Sequence, residues 1–502
     1  MSLQKKFKFS VKNFISNNLS IFKRIKLFQE YYSSVSRLNL YKKNSVKIEK
    51  SSELFKKNPG NFENLENLEI DENINSVAGW LPITNNKLNI VLYNFFSINY
   101  SLRKQLILRI TLLKNKKEFN QRFFSIPVNF VKELSIDRIF NKSLKNYNSI
   151  ILELFHPLFE KNHAGNDGHL RFIGKYSEDD KVNYMVHSMP ISKYYSVLEK
   201  SSDWARTYTI SDFANYSFYN NYYSGKIQIK NNDTISKKTN YGFLTVEDTN
   251  YNKIVSIFHQ SPKNQTLDVR KISSGFYCPN DKINSYDPFI FIDEKETNCS
   301  ENNFEFLIYK NNSVTEKRII KNHGNYLERI SKIFGKFIDD DYFFIAKMNT
   351  TSSNAYFHVH FADKYKIYDQ VHTENVNWDL QGNNLLPILS NDRKSCRKFC
   401  SFDLSNNKKN LAVIYLNKVK NLIQYNLKLR ILVEDKEYLK SITFKIKEPI
   451  KILHLNNILR DFGILNNSKG VIQIESLDQN FAAINYQIND NSTISADHFT
   501  GG

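Results

Sequence analysis

KVNYMVH at Lys181–His187 recurs in this chain as KIVSIFH at Lys253–His259 and KIYDQVH at Lys366–His372. A looser form, STISADH, stands at Ser492–His498. The first three share Lys-[Val/Ile]-x-x-x-[Val/Phe]-His. Side chains alternate faces along a strand, so Val182, Tyr184 and Val186 share one face, while Lys181, Asn183, Met185 and His187 share the other. Ile254/Phe258 and Ile367/Val371 repeat the arrangement. The β-branched and aromatic face reads as core, which leaves the Lys and His face for solvent or a neighbouring unit.

Working outward from these strands, a longer pattern recurs. In the last copy LKLRILVEDKEYLKSITFKI (427–446) reads as two strands around a charged turn, and EPIKILHLNNILRDFGIL as a short helix carried by Ile452, Leu455, Ile458 and Leu459. GVIQIES, FAAINYQIND and STISADH follow as three strands. LILRITLLKNKKEFNQRFFSI, PVNFVKELSIDRIF, SIILELF, HLRFIGKY and KVNYMVH give the same order earlier, and FEFLIYKNNSVTEKRII through KIYDQVH gives it again. A shorter version, GKIQIKN, YGFLTVED and KIVSIFH, reads as a partial copy. SCRKFCSFDL (395–404) and DWARTYTISDF (203–213) read as matching connectors.

These periods of roughly 70–80 residues exceed those of solenoid repeats, so each unit is expected to have its own core. The fold class expected is mainly β with short helices (α+β). It comprises tandem repeats of a β-sandwich-like unit, three full copies plus one partial, with an N-terminal helical arm. The boundaries read as an arm at 1–50, a polar linker at 51–79, and units at 80–192, 193–265 (partial), 266–378 and 379–502.

The chain has 502 residues and a formal net charge of +19. Residues 1–50 hold twelve Lys/Arg against two Glu, a balance of +10, and the body carries the remaining +9. The basic character belongs to an arm, so no dedicated nucleic-acid domain is expected in the body. Within the arm, residues 10–33 place Phe14, Ile15, Leu19, Phe22, Ile25 and Phe28 at helical spacing, with Lys12, Lys23, Arg24 and Lys26 among them. Such a helix either lies on an anionic membrane surface or a partner, or docks on its own protein. No apolar run is long enough for a transmembrane helix. The N-terminus makes a poor signal peptide, so a cytoplasmic location is expected. Cys278, Cys299, Cys396 and Cys400 are too few for a disulfide framework. They read as free thiols, with zinc at the four as the alternative.

Chemistry has three places to sit. If the units surround a common axis, His187, His259, His372 and His498 would converge on a ligand or a divalent metal. Otherwise each His rims its own shallow pocket, or simply ends its strand and bonds the following turn; Pro190 and Pro262 suit that structural role. The second place is a polar loop in the first unit, ELFHPLFEKNHAGNDGHLRF, where His163, Asp167 and His169, with Glu160, form a candidate ligand or metal site. The third is Phe357-His358-Val359-His360, which puts His358 and His360 on one strand face as in cupin-type metal sheets, without the glutamate or glycines of that motif. Nucleotide loops of the GxGxxG and GxxxxGK[ST] types and a GxSxG elbow are absent. The function expected is a non-catalytic tandem β-domain binding or scaffold protein, for a carbohydrate, a cell-envelope polymer or a partner protein. The alternatives are a metal-dependent enzyme built on the His loop, and a membrane-surface or nucleic-acid-associated protein acting through the arm.

Overall fold

The computed structural model describes residues between 62 and 501, namely the elements given below with their short joining turns. The arm at 1–50 and the loop at 156–171, with Glu160, His163, Asp167 and His169, lie outside the described residues. What is described is mainly β, built of antiparallel sheets with few helical residues.

The first sheet pair runs through β1 (Ser76–Pro82), β2 (Lys87–Tyr93), β3 (Leu106–Leu113), β4 (Phe119–Ile126), β5 (Val131–Ser135) and helix α1 (Ile136–Phe140). It continues with β6 (Ser149–Phe155), β7 (Ile173–Glu178), β8 (Lys181–His187) and β9 (Met189–Ile191). One sheet has the order β4-β3-β6-β1-β9 and the other β5-β2-β7-β8. A further sheet follows, made of β10 (Tyr195–Thr209), β11 (Asn215–Gln228), β12 (Thr234–Ile235), β13 (Tyr241–Asp248) and β14 (Lys253–Gln260).

The next pair comprises β15 (Gln265–Cys278), β16 (Phe289–Asp293), β17 (Asn303–Lys310), β18 (Ser313–Lys321), β19 (Tyr326–Arg329), α2 (Ile330–Phe334), β20 (Tyr342–Ser352), β21 (Tyr356–Ala362) and β22 (Ile367–His372). After a hairpin of β23 (Val376–Gln381) and β24 (Asn384–Leu389) comes the last pair. It holds β25 (Cys396–Asp403), β26 (Lys409–Leu416), β27 (Gln424–Val433), β28 (Lys436–Lys445), β29 (Ile450–His454), α3 (Leu455–Asp461), β30 (Lys469–Ser476), β31 (Phe481–Ile488), β32 (Ile494–His498) and β33 (Thr500–Gly501).

Counted from the first strand of each pair, all three have the order 4-3-6-1 in one sheet and 5-2-7-8 in the other. Strand alternation explains the layering. Leu108, Ile110 and Leu152 of one sheet and Leu88, Ile90 and Tyr176 of its partner are buried in one shared core. The last pair is built alike around Ile414, Leu429, Ile472 and Phe481.

Two local expectations change. The connector at 395–404 is β25, which lies between β30 and β33 with Phe399, Cys400 and Phe402 buried. The stretches expected as helices begin as strands: β5, β19 and β29 pair with β2, β16 and β26, and only five to seven residues after each are helical. A helix of one or two turns is not self-sustaining. The backbone groups of the sheet edge and the burial of Ile136 and Phe140 against the core therefore decide the conformation. α1 stops at Asn141 and α2 at Gly335, both left-handed at φ 50° and 71°.

In the stretch read as a linker, Phe62 stacks on Phe124 and Phe130 of the first pair at 4.9 and 5.0 Å between ring centres. First and last pairs are joined by an ionic chain. Glu133 bonds Lys175 at 3.0 Å and Lys469 at 3.2 Å, Lys469 lies 3.8 Å from Asp403, and Lys408 bonds Asp403 at 2.7 Å. Burial opposes ionisation of Glu133, but Lys175 and Lys469 outweigh it and hold its carboxyl at about 2.

Glu133 therefore stabilises the fold fully above its ordinary value of 4.5, and this contribution disappears as pH falls toward about 2. The urea midpoint should drop across that window, and Lys469→Met should flatten the drop. A second prediction concerns Gly470 at the start of β30, where an added Cβ would stand 2.1 Å from the Leu432 carbonyl oxygen and 2.8 Å from the Phe402 ring. Backbone cannot yield as a side chain does, so Gly470→Ala should cost about 1–3 kcal/mol in thermal or chemical unfolding.

Candidate functional site at the four-strand junction

The final strands of the four sheets meet. β8, β14, β22 and β32 touch in the cycle β8–β14–β22–β32–β8, so the strands that carry the recurring His motif adjoin one another. Lining up the motif shows which residues come together. Met185, Ile257 and Ala496 hold its fifth position and are buried; Ser256, Asp369 and Ser495 hold its fourth and are fully buried.

Asp369 ties three of its neighbours. Its Oδ2 accepts the backbone N–H of Met185 at 3.3 Å and of Ala496 at 3.1 Å, and its Oδ1 accepts the Ser256 hydroxyl at 2.8 Å. One carboxylate on β22 thus satisfies donors from β8, β32 and β14. A buried carboxylate is tolerated only when its lone pairs are used in this way.

One step further along, the motif's closing histidines meet. His187 of β8 is fully buried and His498 of β32 is 5% exposed; their rings approach to 4.3 Å between centres in an edge-to-face arrangement. Asp497 faces His187 Nδ1 at 3.1 and 3.2 Å, and His498 Nδ1 stands 3.2 Å from the Phe499 carbonyl. His187, Asp497 and His498 offer ligand atoms that all lie within 4.8 Å of one another. His259 and His372 hold the same closing position on β14 and β22, paired in register with Phe243 and His358.

His358 and His360 share a face of β21 and are fully buried. Their surroundings are aromatic: His360 stacks on Phe289 at 4.7 Å and His358 on Phe291 at 6.0 Å. Burial, with His358 beside it, pushes the His360 pKa well below the ordinary imidazole value, so this ring is neutral. Among the described residues the pair is joined by no third metal-ligating side chain; the one such group is His187–Asp497–His498. Cys278 and Cys400 are free and buried, on β15 and β25, and burial raises both thiol pKa values.

A cleft that no motif announces opens between the last two sheet pairs. About 450 Å³ in volume, it has Tyr277, Asn280 and Tyr286 on one wall and Asn410 and Asn456 on the other. Its walls are fixed by their own bonds. Asp341 accepts from Tyr277 Oη at 2.6 Å and Asn280 N at 2.7 Å, and Asn456 Oδ1 accepts from Asn410 N at 2.7 Å. Asn407, Lys409, His454, Asn457, Arg460 and Asn466 line its exposed part. The sequence signal was available but diffuse: Asn is abundant everywhere in this chain, and the two walls lie more than a hundred positions apart.

No family model and no curated protein sequence matches the chain. Solved structures matched at low similarity include the following two. A mutant of the major pilin from Streptococcus pyogenes is 8% identical, with 84% of this chain and 99% of that chain covered, at a TM-score of 0.13. The M60 catalytic domain with the CBM51-1 and CBM51-2 domains from Clostridium perfringens ZmpB is 6% identical, with 87% and 55% covered, also at 0.13. A TM-score this low carries no argument about fold or function. No helix among the described residues is long and apolar enough to cross a membrane.

The junction makes a sharp prediction. Asp369→Ala leaves two backbone N–H groups and a hydroxyl buried without their acceptor and should cost about 3–5 kcal/mol in chemical unfolding. Asp369→Asn should be far milder, because its oxygen can take both N–H groups while its amide donates to Ser256 Oγ. Equal losses in the two variants would show that charge, rather than these bonds, matters at this position.

Proposed function

We propose that this chain is a non-catalytic binding scaffold. Copies of one β-sandwich-like unit, with a partial copy second in order, close around a common axis through their last strands, and a hydroxyl-rich or acidic polysaccharide of the cell-envelope type binds between the third and last units. The units correspond to 80–192, 193–265, 266–378 and 379–502, with the basic arm at 1–50 as a separate attachment element. The shared 4-3-6-1 and 5-2-7-8 strand orders support the repeat.

The observation that carries the ligand is the cleft. Its walls come from two units and are held rigid, so little ordering has to be added on binding. Side-chain amides at Asn407, Asn457 and Asn466 both donate and accept, which matches neighbouring hydroxyls of a sugar ring. Lys409 and Arg460 make that end positive and favour a carboxylated or phosphorylated saccharide. Arg460 is oriented by Asn457 Oδ1 at 3.1 Å and by the Asn456 carbonyl at 3.3 Å. The exposed lining of the cleft consists mainly of amides and cations, groups suited to holding a saccharide.

The full chain on an array of neutral and acidic glycans should bind a subset without cleaving it. Arg460→Ala and Asn457→Ala, both at exposed positions, should each weaken that binding by roughly tenfold, the scale of one charge-assisted hydrogen bond. Silence across the array, or binding indifferent to both substitutions, would remove this reading.

A further inference from the structure

The junction offers a site of a different kind from the cleft. His187 and His498 come from strands more than three hundred positions apart, yet hold the same place in the motif and meet at 4.3 Å between ring centres. Beside them stands the carboxylate of Asp497, within hydrogen-bond reach of His187. Two imidazoles and a carboxylate are the donor set that a borderline cation such as Zn²⁺ selects, and the one that three-ligand zinc sites use.

We propose that His187, Asp497 and His498 bind a divalent cation of the zinc class, which clasps the first sheet pair to the last and closes the ring of four strands.

Geometry supports this in three ways. The ligand atoms already lie within 4.8 Å of one another. Bonds of about 2.0–2.1 Å in a tetrahedron place ligands roughly 3.4 Å apart, so modest side-chain rotations complete the site. Both imidazoles are buried and the Asp497 side chain is 11% exposed, so the cation would sit in a water-poor setting where coordination is strong. The tautomers also suit the task. His498 Nδ1 lies against the Phe499 carbonyl, which places the proton there and leaves Nε2 as the coordinating atom. A neutral His187 likewise keeps one ring nitrogen unprotonated, so coordination requires a choice of tautomer and no loss of a proton. The fourth position is left to water or to another donor at the junction.

The alternative is a purely structural cluster, in which His187 donates to Asp497 and no metal enters. The two differ in what the full chain does with Zn²⁺ and Co²⁺ alone. After refolding from chelator-treated protein, one equivalent of Zn²⁺ should be retained through gel filtration and measured by elemental analysis. Co²⁺ in its place should give the visible bands of a four-coordinate site with nitrogen ligands, and Zn²⁺ should raise the unfolding midpoint. Changing groups outside a metal's ligand set commonly costs 10–100-fold in affinity, so loss of a ligand in His498→Ala should cost roughly 100-fold or more. Asp497→Asn keeps the volume and serves as the second variant should the alanine not fold. Absence of stoichiometric metal in the folded wild-type chain overturns the proposal, as does binding that survives in both variants. Either result leaves the cleft's glycan binding untouched, so the two readings fail separately.

Discussion

A single buried carboxylate sets the terms on which this molecule is assembled. Asp369 stands where four strands from four sheets converge, and it accepts hydrogen bonds from three of them. Edge strands ordinarily carry backbone groups that need covering. Here β8, β14, β22 and β32 each end a sheet, and each is covered by the others. The free N–H groups of Met185 and Ala496 are met by a side chain where a ladder partner is missing. The register follows, because a slip of one residue would turn Asp369 on β22, or the buried Met185, Ile257 and Ala496 on the other three strands, away from the junction.

Around that centre, polar and apolar joints divide the work. First and last sheet pairs share the Glu133–Lys469 ion pair and the edge-to-face packing of Tyr93 on Phe399 at 4.8 Å. The β15–β22 pair and the last pair meet through Tyr486, which is fully buried, donates to the Tyr277 carbonyl at 3.0 Å and packs on Phe361. Directional bonds fix the orientation of the parts, and the aromatic surface provides the attraction between them. The cleft is a consequence of the same joint. Where Tyr486 holds the two sheet pairs together on one side, the Asn280 wall and the asparagine-rich turns of the last pair stand apart on the other.

Reading the motif faces one residue at a time succeeded because strand alternation is a local rule. Tyr184 and Val186 are core, and His187 and Met185 are buried on the opposite face, against neighbouring sheets. The same reasoning missed β25, since CRKFCSFD, with Arg397, Lys398 and Asp403 among its apolar residues, reads as a connector. Arg397 is in fact bonded to Glu475 at 2.7 Å and Asp403 to Lys408. Charges that find partners in buried positions hide a central strand from any reading of polarity. β5, β19 and β29, the leading parts of the stretches expected as helices, were missed for the converse reason: apolar residues three and four apart also suit a short strand that turns into a helix.

The sequence by itself determined most of the strands, the recurrence of a His-ending element and, on β8, the placing of its core face, because alternation and repetition are properties of neighbours along the chain. Tertiary structure alone decided that the four copies of that element touch, that Asp369 rather than a histidine joins them, and that His187 meets His498 and Asp497. Each of those contacts spans seventy positions or more, and its existence depends on how whole sheets pack. The cleft belongs to the same class, since neither of its walls is complete until the other is set against it.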